Sequence, residues 1–183
     1  MVISHSCGLT SVSSSLALLM GAKENSVRQR IREWYYAQAD KRGKGRSELE
    51  VSSSFVPLLQ WILSWWPANE KRLALAMDAT NLGNVLVVLV ISVLYRGCAI
   101  PIAWHVLPAV EKGSWKKPWL ELFSHFQDVI PEDWEVIVMA DRGLYARWLF
   151  EAIEKCKWHP FLRINHAIFF RPKDEKEFKA LSL

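Results

Sequence analysis

Two aspartates sixty-three positions apart carry the most legible chemistry of this 183-residue chain. Asp78 lies in the run Arg72-Leu-Ala-Leu-Ala-Met-Asp-Ala-Thr80, and Asp141 closes the apolar part of Val136-Ile-Val-Met-Ala-Asp-Arg-Gly143. Carboxylates are hard oxygen donors. A pair of them on neighbouring strands holds Mg²⁺ or Mn²⁺ against a phosphate, the arrangement of metal-dependent phosphodiester chemistry. A blander role stands beside it, in which each aspartate caps the turn or helix that follows its strand. Cys156, His159 and His166 raise a second metal question. A zinc site needs a fourth ligand at usable spacing, and none is present, so these read as a buried thiol and two ordinary histidines.

The elements that must position the pair follow from hydrophobic period. Leu73–Ala79, Leu86–Tyr95 and Cys98–Leu107 are short apolar, β-branched runs, hence strands. Gly83 within Asn81–Asn84 and the Arg96-Gly97 pair supply the two hairpin turns. Pro101 cannot donate to a central ladder and puts the third strand at a sheet edge. A helix over Trp119–Val129 opens near Pro118, a strand follows over Glu135–Ala140, and Ala146–Lys157 sets Leu149, Ile153 and Cys156 at helical spacing. A last strand is predicted within His159–Phe170. The order β-β-β-α-β-α-β predicts an α/β chain with a mixed sheet and flanking helices.

Upstream the pattern is helical. Residues 9–20 form one predicted helix broken by Gly21, and a second begins at an Asn25 or Ser26 cap, with Gln29 three past Ser26 as in a capping box. Val27, Ile31, Trp34 and Tyr35 make its apolar stripe. Ser54–Trp66 is a third helix, with Pro57 in its first turn and Pro67 beyond its end. The expected organisation is a helical, basic region over 1–66, a core over 67–170 and a charged tail over 171–183.

The charge is asymmetric. The net charge is +4, yet residues 1–46 hold eight Lys/Arg against three Asp/Glu, so the remainder is slightly acidic. Arg28, Arg30, Arg32, Lys41, Arg42, Lys44 and Arg46 form a basic segment suited to a nucleic-acid backbone, with a solvated basic arm as the alternative. The helix, glycine turn and basic helix loosely follow a helix-turn-helix. Three cysteines without a CxxC pair indicate a reducing, cytoplasmic setting. The apolar run Val85–Tyr95 is too short for a bilayer, which takes about 20 residues.

Leu75-Ala-Met-Asp-Ala-Thr80, Tyr95-Arg-Gly97 followed by Ile100-Pro-Ile-Ala-Trp104, and Val138-Met-Ala-Asp-Arg-Gly143 come in this order, each in strand context. In these motifs the chain resembles the nuclease core of insertion-sequence DDE transposases over roughly residues 54–170. The resemblance implies an RNase H-like fold, DNA strand cleavage and strand transfer at transposon ends, and Asp78 and Asp141 as catalytic ligands of Mg²⁺ or Mn²⁺. It further implies phosphate contact by Arg142, DNA as partner and dimerisation on DNA. The family's third acid follows a β-rich insertion after the strand matching Phe161–Phe170, within a Tyr/Arg/Glu/Lys motif. Glu175 and Glu177 have no such motif around them and read as a charged tail. The expectation is therefore a C-terminally truncated, inactive form. A non-catalytic DNA-binding remnant or regulator is the alternative, and a degenerate product with exposed apolar surface is a third.

Overall fold

The computed structural model describes residues 6, 8–43, 46–110, 115–164, 169–171, 174–177 and 179–180. The chain forms two compact units, Met1–Val51 and Ser52–Leu183.

In the first unit, α1 (Leu9–Met20) ends where Gly21 takes φ 60°, and the Ala22 N–H donates back to the Ala17 carbonyl at 2.9 Å. Only glycine enters this left-handed conformation without strain. Helix α2 (Glu24–Trp34) starts earlier than the capping pattern predicted. Lys23 is the N-cap and supplies no side-chain bond, while acidic Glu24 in the first turn complements the helix dipole. The Gln29 amide does not close a capping box; it donates to Glu33 Oε1 at 2.7 Å. The predicted apolar stripe is only partly buried. Val27 is covered and Ile31 half covered, whereas Trp34 and Tyr35 are 62% and 65% exposed. A pair of short helices has too little surface to enclose a full stripe.

The second unit is built on a five-stranded mixed sheet: β1 (Arg72–Leu82), β2 (Leu86–Tyr95), β3 (Cys98–Pro108), β4 (Glu135–Ala140) and β5 (His159–Leu162), in the order β3-β2-β1-β4-β5. The first three are an antiparallel meander, and β4 and β5 add in parallel. Gly83 at φ 60° turns β1 into β2, and Arg96 and Gly97 at φ 48° and 81° turn β2 into β3. Consecutive positive φ values match the twist of a tight hairpin. Strand β3 is the edge that Pro101 required. This mixed sheet with flanking helices is the α/β architecture expected from the element order.

Helices α3 (Phe55–Ser64), α4 (Lys116–Ser124) and α5 (Arg147–Lys155) bury one face of the sheet. Phe55, Leu59, Ile62, Trp119, Leu122, Phe123, Leu149 and Ile153 join Leu73, Leu75, Met77, Val136 and Val138 in a single core. Each aliphatic side chain so buried contributes about 1.5–3 kcal/mol. Because α3 belongs to this core, the division falls after Val51 and not at 66/67. The final strand is shorter than predicted. β5 stops at Leu162, since β4 ends at Ala140 and offers no further partner. Phe169–Phe170 (β6) instead pairs with Lys179–Ala180 (β7), so part of the expected charged tail is strand.

Candidate functional site

The register of β1 and β4 places the two aspartates. Every parallel pair, from Arg72↔Glu135 to Met77↔Ala140, carries an offset of sixty-three residues. Asp78 and Asp141 are the next step of that register. Neighbouring strands run about 4.8 Å apart, so the two residues stand side by side at the end of the ladder. Alternation fixes the face. Leu73, Leu75 and Met77 of β1 and Val136, Val138 and Ala140 of β4 are buried on the helix-covered side. Ala74, Ala76, Ile137 and Met139 are only partly covered and lie on the other face, toward which Asp78 projects as the next alternate residue.

Both carboxylates are exposed, so neither is a buried charge in need of compensation. Each is held by one oxygen. The Thr80 hydroxyl donates to Asp78 Oδ2 at 2.6 Å, and the Gly143 N–H donates to Asp141 Oδ1 at 3.0 Å. Asp141 therefore does cap the turn that follows its strand, and its second oxygen remains available. A Cβ at Gly143 would sit 3.3 Å from Asp141 Oδ1, so the bare backbone at this position lets the carboxylate fold back onto the turn. The donor set suits Mg²⁺ or Mn²⁺: hard carboxylate oxygens in small number, with water left to complete the shell. Among the described residues no third His, Cys, Asp or Glu gathers with the pair.

Arg142 is exposed beside Asp141. A different arginine occupies the row itself, one that the sequence motifs did not single out. β4 and β5 pair up to Ala140↔Leu162, and the Arg163 N–H donates to the Ala140 carbonyl at 2.9 Å, which places Arg163 next to Asp141. Asp141 and Arg163 line a shallow hollow with Ala76, Met77, Met139, Ala140 and Phe161. The available signal was positional. Arg163 follows the apolar end of its strand as Asp141 follows Ala140, but only the pairing reveals this.

The basic residues of the first unit divide into two groups. The side chains of Arg28, Arg30, Arg32 and Arg42 are exposed and make no ion pair or hydrogen bond with a described residue. Lys41 and Arg46, expected at the nucleic-acid surface, serve the unit's own structure. Lys41 Nζ donates to the carbonyls of Trp34 at 3.1 Å and Ser47 at 2.6 Å. Arg46 Nε donates to the Arg42 carbonyl at 3.0 Å, and its guanidinium lies 3.8 Å from the buried Glu33 carboxylate. Lys44 lies outside the described residues. Of the set once weighed as zinc ligands, His166 is also outside them. His159 is exposed, and burial pushes the Cys156 thiol up, away from the thiolate that zinc requires. Among the described residues no helix is long and apolar enough to cross a membrane.

No protein-family model and no curated protein matches the chain. Among solved structures it is similar to the catalytic domain of Mos1 mariner transposase, at 14% identity and a TM-score of 0.34 over 61% of this chain and 58% of that one. The Mos1 strand transfer complex is matched at 12% identity and a TM-score of 0.32, over 87% of this chain and 55% of that one. The mariner Mos1 paired end complex with Mg is matched at 14% identity and a TM-score of 0.31, over 80% and 52%. The chain thus spans little more than half of these relatives. Likenesses this distant carry no inference about activity, which has to come from the residues.

Proposed function

We propose that the chain belongs to the DDE transposase type and performs, or once performed, metal-dependent strand cleavage and transfer on DNA, with Asp78 and Asp141 as the catalytic metal ligands. The observation that supports the proposal is the sixty-three-residue register, whose last pair, Met77↔Ala140, immediately precedes both aspartates at one end of the open sheet face. Asp78 Oδ1 and Asp141 Oδ2 are the oxygens left over for Mg²⁺ or Mn²⁺. When bound there, the metal supplies Lewis acidity toward a phosphodiester and an activated oxygen nucleophile. Thr80 and Gly143 hold the carboxylates in place. Arg28, Arg30, Arg32 and Arg42 supply non-specific contacts to the DNA backbone. Dimerisation on DNA belongs to the same proposal.

With two converging carboxylates and no third among the described residues, metal is held weakly and the isolated chain nicks DNA slowly or not at all. The test is Mn²⁺ titration by calorimetry on the intact chain and on Asp78→Ala and Asp141→Ala. The expected result is weak binding that drops by about tenfold or more in each variant, the loss of one charged ligand. Equal Mn²⁺ affinity in all three proteins would remove the basis of the proposal.

A second reading is a non-catalytic DNA-binding protein. It is favoured by the four unengaged arginines of the first unit beside an incomplete carboxylate set. It requires DNA affinity that falls steeply with salt and is indifferent to Asp78→Ala.

A further inference from the structure

We propose that Arg163 is the residue that grips the DNA phosphodiester at the carboxylate pair, an inference that rests on the metal-dependent reading above. Two adjacent carboxylates repel an incoming phosphate, and one divalent cation held by them brings the pair only to neutrality, which leaves the charge of the phosphodiester itself unmatched. A cation within the same row corrects the balance. Arg163 meets the requirement by position. Its backbone N–H is fixed to the Ala140 carbonyl at 2.9 Å, one residue before Asp141. Its side chain lines the same hollow as Asp141, and Arg142 is not among the lining residues.

Arg163 is also free to act. It is exposed and makes no ion pair or hydrogen bond to a described side chain, although a carboxylate stands in the adjacent row position. A guanidinium in a cross-strand row with a carboxylate ordinarily settles into a bidentate pair. Here the Gly143 N–H takes Asp141 Oδ1. The planar fork of the arginine is left with its donors unspent, and a phosphate oxygen pair has the matching geometry. The other wall of the hollow, Ala76, Met139 and Phe161, is apolar and offers no competing charge.

The experiment compares the whole chain with Arg163→Ala and Arg163→Lys, using fluorescence anisotropy of a short labelled DNA duplex in Mn²⁺ across a salt series. Arg163→Ala is expected to weaken binding by about tenfold and to make the log–log salt slope shallower by about one. Arg163→Lys retains the charge without the fork and is expected to restore the slope and part of the affinity. Arg163 is exposed, so both variants should melt within a few degrees of the parent. An unchanged DNA affinity and slope in Arg163→Ala would overturn the inference. So would a change confined to Mn²⁺ affinity, because Arg163 would then be only the counter-charge of Asp141. Mn²⁺ calorimetry on Asp78→Ala reports separately on the parent reading. If that variant binds metal normally while Arg163→Ala still loses a phosphate contact, the metal reading fails and the phosphate assignment stands.

Discussion

The two faces of the central sheet are made from the same strands and differ in almost everything else. On the covered face, Leu73, Leu75, Val136 and Val138 are sealed beneath α3, α4 and α5. On the open face, Ala74, Ala76, Ile137 and Met139 are partly buried, and Phe161 is 67% exposed. The covered face holds large aliphatic side chains where the open side of β1 holds alanine. The lesson is a division of labour along a two-residue period. One face provides the burial that makes the sheet, and the other carries polar chemistry at its end without a desolvation penalty. Asp78 sits on a core strand and is still wet, because alternation turns it outward.

This contrast can be broken most forcefully at the core. Leu75→Ala should cost about 2–5 kcal/mol in urea unfolding, the range for a fully buried leucine. Met139→Ala, on a strand of the same sheet but on the open face, should cost about 1 kcal/mol or less. Similar losses at the two positions would mean that the open face is covered in solution.

A smaller effect sharpens the chemical end of the open face. Gly143→Ala introduces a methyl 3.3 Å from Asp141 Oδ1 and must shift either the carboxylate or the turn. Mn²⁺ affinity should fall several-fold, about 1 kcal/mol, while the melting temperature changes by a few degrees only. Intact metal affinity would show that the turn does not orient Asp141.

The smallest effect lies at the start of the β1–β4 ladder. Lys71 donates to Asp133, and this hydrogen bond lowers the Asp133 carboxyl below its ordinary value, against an opposing desolvation and with help from the lysine charge. The folded-state value is depressed. The stabilisation is therefore complete above the unfolded carboxylate pKa and is lost as pH falls through the folded value. Thermal melts of Asp133→Asn should match the parent near the acid end of that window and fall marginally below it at neutral pH. A fully exposed pair promises little more.

Much of this molecule was legible in its residues, and the failures have physical causes. The meander was readable because β-branched runs alternate with glycine turns, and Gly83, Arg96 and Gly97 adopt the positive φ that hairpins need. The aspartate pair was readable because each follows an apolar run, Asp78 within β1 and Asp141 just past β4. Arg163 was not, because its significance lies in strand pairing, which periodicity does not encode. Arg46 and Lys41 looked like DNA contacts because their charge is visible in the sequence and their partners, Glu33 and two backbone carbonyls, are not. The start of α2 was misplaced because favourable cap residues lay just inside a helix that begins without one.

The sixty-three-residue offset between β1 and β4 has a kinetic side. Hairpins closed by tight turns assemble within microseconds, whereas β1 and β4 meet only after a long intervening chain has surrendered its loop entropy. The meander is thus an early scaffold and the carboxylate pair a late arrival. During refolding, the metal binding proposed for the pair is expected to emerge after most of the β-structure has formed, so Mn²⁺ binding would time the final docking of β4.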